Sequence, residues 1–159
     1  MARIGPPPPV PHLEHPGIRI AAIVAGFHQD LSERLLAGAR DRLAEAGLPA
    51  GHLEDHWVPG AFELPLAARA MALRRRYAAV IALGVVIRGE TAHFDHICNA
   101  AATGLTAVSL ETGVPCTFGV LTTETREQAE ARAGGELGNA GLDAADAAIV
   151  MVNLLADSR

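Results

Sequence analysis

The sequence predicts an α/β protein, a three-layer α/β/α sandwich on a four-stranded parallel sheet with helices on both faces. Three observations carry that reading. Apolar runs rich in Val and Ile recur along the chain, and Ala79–Ile87 contains no polar residue at all. Strands buried on both faces, as in parallel sheets, read this way. Between the runs lie segments with apolar residues at three- and four-residue spacing, the mark of amphipathic helices. Strand and helix patterns alternate, which implies right-handed crossovers.

The elements follow in order. Met1–Gly17 carries Pro6, Pro7, Pro8, Pro9, Pro11 and Pro16, so it cannot be helical and is expected to be extended. It is either a tail, the expectation for Met1–Pro9, or an arm lying on a neighbour. Residues 1–17 form this arm and residues 18–159 a single domain. Ile18–Gly26 is the first strand, and Leu31–Gly47 the first helix, with Leu31, Leu35, Ala39 and Leu43 every four residues and Gly47 and Pro49 closing it. His52–Val58 is a short second strand. Pro59-Gly60 turns the chain into a helix running to about Arg75, with Pro65 in its first turn. Ala79–Ile87 is the third strand. Its helix spans about His93–Thr112, with Phe94, Ile97, Ala101, Leu105 and Val108 on one face. Pro115–Thr122 is the fourth strand and Thr123–Ala133 a helix, broken by Gly134-Gly135 and Gly138–Gly141. Leu142–Asp157 is the last helix. This order gives a flavodoxin-like sandwich.

Composition narrows the function. The chain has 159 residues, half of them hydrophobic, enough for one domain with a real core. The formal net charge is −5, and the only basic block is Arg74-Arg75-Arg76 at an expected helix C-terminus, where it suits the helix dipole. Nucleic acid is therefore not an expected partner. Cys98 and Cys116 form no C-x-x-C pair and read as small core residues in a reducing compartment. No apolar run is long enough to span a membrane, and the Pro-rich start is not a secretory signal, so a cytoplasmic protein is expected. All thirteen basic residues are Arg. The absence of Lys excludes enzymes that form a Schiff base through their own Lys and those with a Walker P-loop. No G-x-G-x-x-G follows the first strand, so no dinucleotide cofactor is expected, and no cofactor of another kind is indicated.

In such sheets ligands bind beyond the C-terminal ends of the strands. The first strand delivers Phe27 and His28 there; the second, Trp57, Gly60, Ala61 and Glu63; the third, Val86, Ile87, Gly89, Glu90, Thr91 and His93; the fourth, Phe118, Thr122 and Thr123. Gly89 and Thr91 precede a helix and can offer backbone N–H groups to an anion. His93 is the proton-transfer group. His93, Asp95 and His96 lack the i,i+4 spacing of a helical metal pair, so no metal is expected. Glu63 also suits a helix cap, Phe27 and Phe118 also suit core aromatics, and Arg88 reads as a structural ion pair. The list suits a flat heterocycle with hydroxyls, plus a phosphate.

Trp57-Val58-Pro59-Gly60-Ala61-Phe62-Glu63-Leu64-Pro65 and Leu83–Asp95, with Arg88-Gly89-Glu90-Thr91-Ala92-His93 inside it, resemble two signature segments of lumazine synthases. Phe118–Glu124 and Gln128–Gly134 are similar to two more. The resemblance covers residues 18–157 in order and implies condensation of 5-amino-6-(D-ribitylamino)uracil with 3,4-dihydroxy-2-butanone 4-phosphate in riboflavin biosynthesis. It implies that Phe27 stacks on the pyrimidine, with His28 and Phe62 beside it. Ala61 and Glu63 would meet the ribityl chain, and Val86 and Ile87 would present backbone to the heterocycle. Glu90 and Thr91 would hold the phosphate, and His93 would move protons. Phe118 and Arg132 would reach in from an adjacent subunit, Arg132 onto the phosphate.

The resemblance further implies a homo-oligomer with sites between subunits, a pentamer or a sixty-subunit shell. The short Gly134–Gly141 link resembles that of shell-forming members, whereas the Pro-rich arm points the other way; the shell is the expected form. Two positions depart from the family pattern. His28 stands where Asn is common, and Glu136 and Ala140 stand in a segment that often carries Lys, which implies weaker substrate binding. A non-catalytic flavin- or lumazine-binding protein, or a purely structural shell, is the alternative on the same scaffold.

Overall fold

A computed structural model describes residues 6–156. The elements run β1 (Ile20–Ala25), α1 (Gln29–Glu45), β2 (Leu53–Val58), a 3-10 turn (Ala61–Glu63), α2 (Leu64–Ala72), β3 (Ala79–Ile87), α3 (His93–Thr112), β4 (Cys116–Thr123), α4 (Arg126–Arg132), β5 (Ala133–Gly135), β6 (Gly138–Asn139) and α5 (Ala140–Ala156). The main sheet is parallel throughout, in the order β2-β1-β3-β4. This is the three-layer, flavodoxin-like α/β sandwich that the alternation predicts.

The two central strands explain the apolar runs. Every residue of β1 is buried, as are the first seven of β3. Their side chains divide between two cores. Ile20, Ala22, Val24, Ile81 and Leu83 face α1 and α5, while Ala21, Ile23, Val80 and Ala82 face α2 and α3. The α1 stripe of Leu31, Leu35, Ala39 and Leu43 is wholly inside. Pro65 occupies the first turn of α2. A Cβ on Gly104 of α3 would fall 2.6 Å from the Pro65 ring. The missing side chain there lets α3 lie directly against the start of α2, which sets the width of the space between them.

Several boundaries differ from the sequence reading. The helix before β3 ends at Ala72, ahead of the three arginines, and Arg75 takes a left-handed conformation at φ 55°. The helix expected from Thr123 starts at Arg126, because Thr123 completes β4 and Thr125 is the N-cap, its hydroxyl accepting from the Gln128 N–H at 3.3 Å. The Gly-rich link, expected only as a break, forms the short antiparallel pair β5–β6. The last helix starts at Ala140, because the Asn139 side chain accepts from the N–H groups of Gly141 and Leu142. Its expected end at Asp157 lies outside the described residues. Cys98 and Cys116 are free and half-buried rather than fully inside, and Cys116 packs against the core between the sheet and α2 and α3.

The expected tail over Met1–Pro9 also changes. Met1–Gly5 lie outside the described residues, but Pro8 and Pro9 are held on the chain's own surface. Their carbonyls accept from the Arg42 guanidinium at 2.8 and 3.2 Å. Leu13 is 1% exposed and its N–H donates to the Ala46 carbonyl. Asn153 of α5 brackets His12 and Glu14 with two further hydrogen bonds. The proline carbonyls can only accept, and Pro8 and Pro9 satisfy the buried Arg42 of α1, whereas the N–H groups of Leu13 and Glu14 beyond them donate.

Candidate active site

The C-terminal ends of β1, β2 and β3 open onto a cleft of about 450 Å³. It is lined by Phe27, His28, Gly60, Ala61, Phe62, Glu63, Val85, Val86, Ile87, His93 and Ile97. It lies where neighbouring connections from β1 and β3 leave on opposite faces, the usual ligand position in a doubly wound sheet.

Each wall has a local cause. β1 and β2 remain paired past their formal ends, with Gly26 N–H on the Val58 carbonyl at 2.8 Å and Phe27 N–H on the Pro59 carbonyl at 3.2 Å. That zipper brings Phe27 over the Gly60 turn, where its ring is 69% exposed. His28 is left-handed, φ 56° and ψ 51°, and its carbonyl accepts from Leu31 and Ser32 to start α1. Ala61 is buried, whereas Phe62 is exposed at the rim. Glu63 Oε2 accepts from the Gly60 N–H at 3.0 Å, so the carboxylate does cap this turn.

Val86 and Ile87 end β3, half-buried. Beyond them Gly89, Glu90, Thr91 and Ala92 form a short exposed loop into α3. Among the described residues, no acceptor takes the N–H groups of Gly89, Glu90 or Thr91. The Thr91 hydroxyl accepts weakly from the His93 N–H at 3.4 Å. His93 opens α3 and faces the cleft, with Ile97 one turn further on.

Arg88 is held from several sides beside this loop. It forms a two-pronged pair with Asp95 at 3.0 and 3.1 Å, binds Glu124 at 2.8 Å, and lies 4.2 Å over the Phe94 ring. The Arg88 hydrogen bond holds the Asp95 carboxyl below the usual carboxylate range. The reading of Arg88 as a structural ion pair agrees with this geometry.

Eight of the residues singled out in the sequence thus meet around one cleft: Phe27, His28, Ala61, Phe62, Glu63, Val86, Ile87 and His93. Glu90 and Thr91 stand beside it in the loop. Phe118 and Arg132 do not line it. Phe118 sits on the edge strand β4, 44% exposed, and Arg132 ends α4 with its guanidinium on the Gln128 carbonyl at 2.9 Å. Trp57 also stays outside, bonded through its indole N–H to Asp55. Ile97 and Val85 are lining residues that the motifs alone did not single out as site residues. The signal for Ile97 was its position four residues after His93, on the same helix face. Among the described residues, no three His, Cys, Asp or Glu side chains converge as a metal set, and no helix is long and apolar enough to cross a membrane.

A family model described as 6,7-dimethyl-8-ribityllumazine synthase matches residues 17–156. The chain belongs to that family. The matched span begins just before β1 and ends with α5, so it contains every element that lines the cleft. Lumazine synthases are transferase-type enzymes of riboflavin biosynthesis, and membership implies substrate binding and a homo-oligomer.

Proposed function

We propose that the protein is a 6,7-dimethyl-8-ribityllumazine synthase that condenses 5-amino-6-(D-ribitylamino)uracil with 3,4-dihydroxy-2-butanone 4-phosphate, releasing one phosphate and two waters, one at imine formation and one at ring closure. The observation that carries this reading is the cleft, where an aromatic ring, a carboxylate and an imidazole surround about 450 Å³. That volume suits a small-molecule site, roughly 300–1,000 Å³.

Phe27 stacks on the pyrimidine, with His28 and Phe62 along its edge. Ala61 and Glu63 take the ribityl chain; Glu63 accepts its hydroxyl hydrogen bonds while Oε2 stays on Gly60. The ends of Val86 and Ile87 offer backbone groups to the heterocycle. The phosphate rests on the free N–H groups at Glu90 and Thr91. The substrate's own amine attacks the ketone and forms the imine, so a chain without Lys lacks nothing for this step. His93 moves protons as water leaves and as phosphate is eliminated. Holding the two reactants together supplies much of the acceleration, since condensation of an amine with a carbonyl proceeds in water.

The phosphate site is incomplete in one subunit, because among the described residues no arginine lines the cleft. Arg132 and Phe118 of an adjacent copy complete it. A pentamer provides that arrangement, and a shell of sixty subunits extends it. An open edge at β4 and the exposed Leu110, Val150 and Leu154 support such contacts. Light scattering decides the size: a particle of one pentamer overturns the shell.

The enzyme reading is tested by giving the purified full chain both substrates and following lumazine absorbance with phosphate release. The two are expected to rise together. Heterocycle binding without turnover, or assembly without binding, overturns it in favour of a carrier or a structural shell.

A further inference from the structure

We propose that Arg88 is the positioning residue of the Gly89–Ala92 loop, clamping the start of α3 to the end of β4 so that the loop N–H groups hold one arrangement. The inference rests on reading that loop as the phosphate site. It starts from where Arg88 is tied. Its backbone N–H donates to the Thr123 carbonyl at 2.9 Å, which extends β3–β4 pairing one step past β3. Its side chain then spans the loop and grips Asp95 in the first turn of α3. Both ends of a four-residue loop are thereby fastened to one side chain. Glu124 and the Phe94 ring fix the guanidinium from two other directions.

Surface ion pairs usually contribute little, but a two-pronged Arg–carboxylate pair within a charge network is the exception. The same contacts argue against Arg88 as a phosphate ligand. Three of its five N–H donors are occupied, and its one positive charge faces two carboxylates. A dianion gains nothing from a group that is negative in sum. Among the described residues, the loop's other hydrogen bonds all lie at its α3 end: the Thr91 hydroxyl accepts from the His93 N–H at 3.4 Å, and the Ala92 carbonyl accepts from the Asp95 and His96 N–H groups at 3.1 and 3.4 Å.

The test uses the full chain and Arg88→Gln, Arg88→Lys, Asp95→Asn and the double variant Arg88→Gln/Asp95→Asn. Two quantities are read: amide exchange across residues 89–93 without substrate, and inorganic phosphate binding by phosphorus NMR. In Arg88→Gln and Asp95→Asn, exchange is expected to quicken and the phosphate dissociation constant to rise about tenfold, with the double variant no worse than either single one. Arg88→Lys is expected to fail likewise, because an ammonium cannot make the two-pronged contact. KM for the phosphate substrate is expected to rise with kcat nearly kept.

Unchanged exchange in Asp95→Asn overturns the clamp. So does phosphate binding that is kept or tightened in Asp95→Asn but lost in Arg88→Gln, since that pattern marks a direct ligand. Full rescue by Arg88→Lys overturns it too, because charge alone would then suffice. A wild-type chain that binds no phosphate removes the functional reading, and the exchange data still judge the clamp.

Discussion

The ring of Phe27 rests on the bare backbone of Gly60: a Cβ there would stand 2.8 Å from Cδ2 of the ring. Gly60 is extended, φ −156°, a conformation any residue adopts. Its value is therefore room, not freedom. Gly60→Ala is expected to push the ring off its seat while leaving the fold intact. Aromatic stacking on a base is worth about 1–3 kcal/mol, so lumazine affinity should fall about ten- to hundredfold. Phe27→Ala sets the limit. Fluorescence titration with 6,7-dimethyl-8-ribityllumazine measures both, and wild-type affinity in Gly60→Ala would show that the seat is irrelevant.

His93 opens α3 beside the Gly89–Ala92 loop and faces the cleft. A positioned acid–base group contributes about 10²–10⁴-fold, so His93→Ala should lose no more than that in kcat. Activity above the uncatalysed reaction is expected to remain, because the cleft still holds both reactants. A variant as inert as buffer would refute the weight given to proximity.

Arg42 is 3% exposed and binds both oxygens of Asp146, at 2.6 and 2.9 Å, as well as the carbonyls of Pro8 and Pro9. Removing one partner of a buried pair costs about 3–5 kcal/mol. Arg42→Met should therefore destabilise the protein by about 3 kcal/mol, towards the low end of that range because Asp146 is partly accessible. Arg42→Met/Asp146→Leu should recover most of the loss. Urea unfolding reads the stability, and limited proteolysis around Pro8–His12 reads release of the arm. Equal stability of Arg42→Met and wild type would refute the assignment.

Glu54 collects the Tyr77 hydroxyl, Arg19 and Arg76 at the other end of the sheet. The Tyr77 hydrogen bond, with Arg19 and Arg76 behind it, holds its pKa at about 2, against an ordinary 4.5. A carboxyl with a depressed folded-state pKa stabilises fully above its unfolded pKa and loses that contribution as pH falls through the folded one. Glu54→Gln should lower Tm at pH 7, and the gap from wild type should close between pH 4.5 and 2. Calorimetry across that range checks it; a gap that persists at pH 2 would place the effect in packing instead.

Much of the fold was legible because burial is strong where the sequence is plain. Residues 79–87 had no polar side chain to place, so only a strand covered on both faces could hold them. The α1 stripe was equally clear. The misplaced starts of α4 and α5 had signals that periodicity does not show. Thr125 and Gln128 stand at capping spacing, and the Gln128 side chain also accepts from the Glu124 N–H at 2.9 Å. Asn139 caps α5 from within a glycine-rich stretch. The β5–β6 pair was illegible because glycines carry no pattern, although the pairing itself is local, Ala133 with Asn139 and Gly135 with Gly138. At the site, Phe27, Glu63 and His93 were legible from strand ends. The role of Gly60 was not, since it depends on a ring delivered by a different strand.

The separation of Arg132 and Phe118 from the cleft has a genetic consequence. If each site takes His93 from one chain and Arg132 from the next, a lesion in either residue damages only one side of an interface. Chains carrying His93→Ala and chains carrying Arg132→Ala, each impaired alone, should complement one another when they assemble together. In a randomly mixed ring of equal parts, about a quarter of the interfaces pair two intact halves. Two defective alleles in one cell would then yield a partly working enzyme, whereas two alleles both lacking His93 would not.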